Sequence, residues 1–398
     1  MIPDADTPLR RLLLWQRGET PGPWSITLMP TDRCNLRCAM CWQRQYEIDP
    51  ARELSEERLE RLVDEAAALG VIQWNISGGG EPLCRGDFLL RLCRLVRARG
   101  MDGVLQTNAT MLKDAHIVTL ADIGWARIVA SVDGPSAEIN DAIRSPGSFD
   151  QATAALRRLA AIKRERNSPL PAVTWHTVIT NTNIGMLDAM AALAHELGCD
   201  AFEASSLTGD TETCRRLRGG LEAREQVEPP IRRAIARAEA LGIKHNLDTI
   251  LPESVSPIVP RDNRAPRSPR DLSCAVCFEP WLGITINTDG RAQPCCLYWS
   301  EDAESIQNHS LEDVWTGPFM RRMRDQLAKG IALPPCRQCL SPMLARNEAF
   351  RERLLLAQAN GRQRIAAYAR KAASSLRRHG WRRALQRARE WMRIGREW

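Results

Sequence analysis

The stretch "TDRCNLRCAMCW", residues 31–42, places Cys34, Cys38 and Cys41 within eight residues. Thiolates are soft ligands for zinc or for iron–sulfur clusters, and a closed structural zinc site needs four of them. No fourth Cys or His lies nearby, since the next cysteine, Cys84, follows a further helix pattern and a strand pattern. Three thiolates on three irons of a cubane cluster leave the fourth iron open to a small ligand. The absent ligand therefore reads as an opening in the site.

The cysteines follow an apolar run, "WSITLMPT" (24–31), and precede "LSEERLERLVDEAAALG", a helix pattern with Ser55 at its N-cap and Gly70 at its stop. The alternation continues. "VIQWNISGGG" leads to a helix near 87–99 and "GVLQTNAT" to one near 113–123. "ARIVASVDG" leads to a long helix near 148–166, "AVTWHTVIT" to one at about 184–197, and "CDAFEASS" to one at about 221–241. Six strand–helix units in succession predict a parallel sheet. Functional loops in such sheets follow the C-terminal strand ends, where both the cysteine stretch and "GGGEP" (78–82) fall.

The chain has 398 residues, 44% of them apolar, and a mean hydropathy of −0.33, the composition of an ordinary globular protein. It has no apolar run of about 18 residues to span a membrane. Its N-terminus offers only "LLLW" where an export signal needs about 7–15 apolar residues. The expectation is a cytoplasmic protein. The chain has thirteen cysteines, and in a reducing compartment those that cluster point to metal or catalysis rather than disulfides. A second group comprises Cys274, Cys277, Cys295, Cys296, Cys336 and Cys339. Cys84, Cys93, Cys199 and Cys214 stand alone and read as small core residues.

The net charge is +7, but residues 361–398 hold twelve Arg or Lys against two Glu, leaving −3 for the first 360. A near-neutral body predicts no nucleic-acid partner. In the tail, Trp381, Leu385, Ala388 and Met392 share one helical face with arginines on the others. Such a segment reads as a helix docked on its own domain, as a frayed tail, or as a peripheral contact with an anionic membrane. The segment 252–270 holds five prolines and marks a boundary. The expected layout is an N-terminal extension (1–23), a core domain (24–250), a linker (251–270), a second cysteine domain (271–345) and a basic helical tail (346–398).

"CNLRCAMC" resembles the signature of the radical S-adenosylmethionine (SAM) superfamily, in which three cysteines hold a 4Fe–4S cluster and SAM chelates the open iron. "GGGEP" looks like the family's GGE motif, which implies contacts from Gly79, Gly80 and Glu81 to the SAM amino group. "QTNAT" supplies Thr107 and Asn108, and "SVDGPSAEINDAIRSPGSF" supplies Ser131, Asp133 and Arg144 as further implied SAM or active-site contacts. The resemblance covers about residues 24–250. It implies an α/β fold, a partial (β/α)6 TIM-like barrel, with Cys34, Cys38 and Cys41 as the catalytic cluster ligands. It further implies an external electron donor such as a flavodoxin or ferredoxin.

In the second group, the 58 residues between Cys277 and Cys336 far exceed the roughly 15–20 of a simple zinc ribbon. The pattern looks like the SPASM or shorter twitch domain of radical SAM enzymes. That implies one auxiliary 4Fe–4S cluster on Cys277, Cys295, Cys336 and Cys339, with Cys274 and Cys296 spare. About 25 residues precede the first strand, so no leader-peptide recognition domain is expected, nor is a cobalamin domain. The implied activity is reductive cleavage of SAM to a 5′-deoxyadenosyl radical. That radical abstracts hydrogen from a small-molecule, carbohydrate-like substrate in a dehydrogenation or epimerisation. An epimerase needs a second hydrogen donor, for which Cys199, Cys214, Cys274 and Cys296 are candidates. His176, Glu203 and Ser205 are polar residues near strand ends that read equally as substrate contacts or as core. The alternative substrate is a peptide or protein side chain. A non-enzymatic iron–sulfur scaffold is disfavoured by the intact SAM-contact motifs.

Overall fold

The structure is a computed structural model that describes residues 7–251, 272 and 275–358. The linker, Cys274 and the amphipathic tail segment 381–392 lie outside the described residues. The first helix, α1 (Pro8–Arg17), is capped by Thr7, whose hydroxyl accepts from Arg10 N. Strands and helices then alternate as β1 (Ser25–Leu28), α2 (Glu56–Ala68), β2 (Gln73–Ile76), α3 (Asp87–Ala98), β3 (Asp102–Thr107), α4 (Asp114–Asp122) and β4 (Arg127–Ser131). They continue through α5 (Ala137–Ile143), α6 (Ser148–Glu165), β5 (Ala172–Ile179), α7 (Leu187–Glu196), β6 (Ala201–Ser206), α8 (Glu212–Arg218), α9 (Arg224–Leu241) and the two-residue β7 (Lys244–His245). Ser55 caps α2 as expected, its hydroxyl accepting from Arg58 N at 3.2 Å.

The sheet runs in the order β7-β6-β5-β4-β3-β2-β1, every pair parallel. It is the expected partial barrel. The C-terminal region extends it: after α10 (Glu279–Leu282), β8 (Gly283–Ile286) pairs in parallel with β1, and β9 (Ala292–Gln293) pairs antiparallel with β8. The second cysteine region is thus built onto the edge of the barrel sheet. Helices α11 (Leu311–Thr316), α12 (Pro318–Ala328) and α13 (Ser341–Gln358) follow. The chain to Arg346 packs as one compact unit, and a second begins at Asn347. Among the described residues, no helix is long and apolar enough to cross a membrane.

One face of the strands is apolar and closed, with Ile26, Leu28, Trp74, Ile76, Leu105, Ile128, Trp175 and Phe202 all buried. The other face is half-open and polar, because alternate strand residues point to opposite sides. It carries Thr27, Asn75, Gln106, Ser131, His176 and Glu203. In register, Thr27 lies beside Asn75, and Ser131, His176 and Glu203 form one row across β4, β5 and β6.

The N-terminal helix is held against the C-terminal region by tryptophans. Trp15 Nε1 donates to Trp281 O at 3.1 Å, and Trp315 Nε1 donates to Pro21 O at 2.9 Å. Between the rings of Trp15 and Trp315 lies the guanidinium of Arg324, 4.7 and 4.1 Å from their centroids. Arg324 Nε donates to Pro280 O and Nη1 to Trp315 O, while its buried Nη2 has no hydrogen-bond partner among the described residues and the cation rests on the two aromatic rings.

Candidate active site

The loop from β1 to α2 carries the three cysteines, and it is tied to the segments that follow five other strands. Gly80 N donates to Thr31 O at 2.7 Å and Glu81 N to Arg33 O at 2.8 Å. Gly79 has φ +62°, and a Cβ on Gly80 would stand 1.9 Å from Arg33 O. Only glycine permits that approach. What the GGE glycines approach here is the cysteine loop itself. From the end of β3, Asn108 Nδ2 donates to Asn35 Oδ1, and Asn35 Nδ2 donates to Thr110 Oγ1. Beyond β4, Ile143 O accepts from Ala39 N and Ser145 Oγ accepts from Arg37 N. Beyond β6, the Cys214 thiol points at Met40 O, 3.6 Å away. From β8, Thr288 Oγ1 donates to Asp32 Oδ1 at 2.9 Å.

Glu81 is 3% exposed. Its Oε1 accepts from the Thr107 hydroxyl at 2.7 Å and from Leu83 N, and its Oε2 accepts from Asn108 N at 2.7 Å. Burial raises its pKa while these three donors oppose the rise. The carboxylate therefore locks the end of β2 to the end of β3.

Asp133, fully buried, does the same for the next strand ends. Its Oδ1 accepts from Thr177 Oγ1 and from Val178 N, and Arg144 Nε lies 2.8 Å from its Oδ2. Those two atoms are close enough for an ion pair but are not aligned as a hydrogen bond. Asn140 Oδ1 accepts from Asp133 N, and Asn183 Nδ2 donates to Asp133 O.

Held this way, Arg144 acts on all three thiols. Burial pushes Cys38 up to about 11 and raises Cys34 and Cys41, while the guanidinium lowers each of them. Charge on Cys41 in turn raises both Cys34 and Cys38, which places the three within electrostatic reach of one another. Three mutually repelling thiolates need a cation, and Arg144 supplies one. Loading a metal centre here must release the thiol protons.

Ser131 ends β4 beside His176 in the half-open row. His176 Nε2 and Ser205 Oγ are 3.1 Å apart, and burial lowers the His176 pKa to about 4, so the imidazole is neutral near pH 7. Glu203 lies in the same row but reaches Arg127, 3.4 Å away.

In the C-terminal region, charges on Cys295 and Cys339 raise Cys277, while Cys336 raises Cys339. The four expected ligands thus come within electrostatic reach of one another from the segment ahead of α10, the segment after β9 and the turn before α13. Cys296 is exposed yet also bears on Cys295 and Cys339. Among the described residues, no three His, Cys, Asp or Glu side chains are set as ligands of a single metal ion. The donor sets fit clusters: three thiols beside a buried guanidinium, and four thiols elsewhere.

One reading needs correction. Cys84 is a half-buried neighbour of the first cysteine loop, its thiol raised by charge at Cys34 and 3.8 Å from Met111 Sδ. A short helical turn, Pro82–Arg85, carries it there directly after the GGE segment. Cys93, Cys199 and Cys214 are buried, as expected for isolated cysteines. The positioning residues Asn35, Asn140 and Asn183 carried no sequence signal beyond lying near the motifs.

Comparisons with known proteins agree with this geometry. The radical SAM superfamily description matches residues 28–174, and the SPASM description, an iron–sulfur cluster-binding domain, matches residues 277–340. The PqqA peptide cyclase of Ruegeria pomeroyi is 31% identical over 277 residues, 69% of this chain and 68% of that protein. The mycofactocin maturase MftC of Mycobacterium tuberculosis is 35% identical over 193 residues, 48% of this chain. The match spans about half the length (47%) of that maturase. Among solved structures, Streptococcus suis SuiB bound to S-adenosylmethionine superposes with a TM-score of 0.61 at 16% identity, covering 78% of this chain and 70% of that one. SuiB bound to the precursor peptide SuiA gives 0.59 at 17% identity, over 79% and 70%.

A half-barrel with an open three-thiol site and a second set of thiols at its sheet edge defines an iron–sulfur enzyme that uses SAM. The chain belongs to the radical SAM superfamily and carries that superfamily's SPASM iron–sulfur domain. Both domains imply 4Fe–4S clusters, and the first implies SAM.

Proposed function

We propose that this chain is a peptide-modifying radical SAM enzyme, acting on a side chain of a precursor peptide. The observation that carries the reading is its 31% identity, across two thirds of both chains, to a peptide cyclase. The likeness of its fold to SuiB is consistent with it. The small carbohydrate-like substrate suggested by sequence gives way to this alternative.

In this reading Cys34, Cys38 and Cys41 hold the SAM-binding cluster, and Cys277, Cys295, Cys336 and Cys339 hold the auxiliary one. When bound, the first cluster and SAM supply a 5′-deoxyadenosyl radical for hydrogen abstraction. The chain's own residues do the rest. Gly79 and Gly80 press the cysteine loop onto the end of β2, Glu81 fixes the neighbouring strand end, and Asn108 braces Asn35. Arg144, paired with Asp133, offsets the thiolate charge, and Ser131 ends β4 beside His176 in the half-open row. His176, neutral near pH 7 and 3.1 Å from Ser205 Oγ, offers substrate an uncharged hydrogen-bonding group in the half-open row.

The test is anaerobic reconstitution followed by incubation with SAM, dithionite and candidate substrates. About eight irons per chain are expected for two cubane clusters. A peptide encoded beside the gene should change mass with formation of 5′-deoxyadenosine. Turnover of a sugar or aminocyclitol with the peptide left untouched would reject the reading, as would SAM cleavage by a Cys34/Cys38/Cys41 triple Ala variant.

A further inference from the structure

The half-open face of strands β1 to β6 is polar, yet it offers a substrate no uncompensated charge. Thr27, Asn75, Gln106, Ser131 and Ser205 are neutral, and His176 is uncharged near pH 7. Three residues on that face carry charge. Asp102, at the N-terminal edge of β3, is paired with Arg97 of α3. Arg127, the first residue of β4, shares a register row with Thr27, Asn75 and Val104, and Glu203 lies beside His176 on β6. These two meet across β5, where the register neighbour of Arg127 is the small Ala172, with Nη1 3.4 Å from Oε1. Their side chains are 39% and 31% exposed, so a ligand inside the barrel can touch both.

We propose that this face is the subsite for the reacting residue of the substrate peptide, and that the Arg127–Glu203 pair restricts that residue to an uncharged side chain. The proposal rests on the peptide reading. Position supports it, because the row adjoins the first thiol site: Ser131 stands two residues before Asp133, the partner of Arg144. Charge supports it further. A lysine or glutamate side chain entering the barrel gives up its water and finds each wall charge already neutralised by the other. A neutral side chain loses no such hydration and meets hydroxyls and amides. It also meets the spare N–H groups and the second oxygen of the pair, whose contact uses one of each. An ion pair this exposed adds little to stability, so its consequence lies in the charge it cancels. Either member alone would invite the opposite charge. Selection of this kind works by penalising the wrong ligand.

The test uses the reconstituted holoenzyme and the peptide encoded beside the gene. Tandem mass spectrometry after turnover with SAM and dithionite should locate the change at an uncharged residue. Peptides carrying Lys, Glu or Gln at that position then serve as inhibitors of the parent peptide's modification, which reads binding independently of reactivity. The Lys and Glu peptides should each inhibit about a hundredfold more weakly than the Gln peptide. Glu203→Gln frees the guanidinium and should tighten the Glu peptide about tenfold relative to the Lys peptide. Arg127→Gln frees the carboxylate and should do the reverse. Both comparisons are ratios within one enzyme, so a general loss of activity cancels, and either variant suffices if the other fails to fold. Equal inhibition by charged and neutral peptides overturns the proposal. So does a charged reacting residue, or a Lys-to-Glu ratio unmoved in the folded variants, and these leave the peptide reading standing. An untouched peptide beside a turned-over sugar overturns both.

Discussion

Arg144 Nε lies 2.8 Å from Asp133 Oδ2, joining the end of α5 to the end of β4 with both side chains buried. The guanidinium so held lies within electrostatic reach of three cysteines more than a hundred residues earlier in the chain. Arg144→Ala should destabilise the fold by about 3–5 kcal/mol, because it leaves the Asp133 carboxylate buried without its cation. Urea unfolding measures the loss. Asp133→Asn with Arg144→Ala together should recover some of it, and a double variant no more stable than Arg144→Ala alone would contradict this account.

Gly80→Ala should disrupt the first cluster site alone. The added methyl would meet Arg33 O at 1.9 Å, so the cysteine loop has to move away from β2. Iron content after reconstitution should fall by about half, the share of one of two cubanes, with the second retained. Full iron loading would show that the loop tolerates the displacement.

His176 gives a pH signature of known sign. Its folded pKa of about 4 lies below the ordinary 6.5, so the unfolded chain binds more protons between those values. Its contribution is therefore complete above pH 6.5 and is lost as pH falls towards 4, by roughly 3 kcal/mol. His176→Gln should flatten the stability profile in that window and leave it unchanged above. Parallel profiles for the two proteins would place the titration elsewhere.

Arg324→Met should cost about 2–4 kcal/mol, since it orphans the carbonyls of Pro280 and Trp315 and empties the space between Trp15 and Trp315. Tryptophan fluorescence during thermal unfolding reports it. If α1 is held by the tryptophan hydrogen bonds alone, the variant will melt like wild type.

Most of the fold was legible because its determinants are local. The helix over Glu56–Ala68 announces itself through Ser55 and Gly70, and the strands through short apolar runs between helical periods. The α5 and α8 helices, seven residues each, were too short to stand out. The strand Gly283–Ile286 was equally silent about its partner. Four residues carry no address, and only packing shows that they pair with Ser25–Leu28. The placement of Cys84 against Cys34 was hidden for the same reason: a lone cysteine looks alike in a core and at the rim of a site.

The chemistry of this protein is written in the local order of its chain. Three thiols spaced as CxxxCxxC after a strand have one dominant use, and the spacing is a property of neighbours along the backbone. How that loop is held and compensated is settled by folding alone. Glu81 locks β2 to β3, Thr288 pins Asp32 from a turn 256 residues away, and Arg144, paired with Asp133, comes within electrostatic reach of the thiols. Each of these depends on which strand ends become neighbours when the sheet curls, and no local pattern encodes that adjacency.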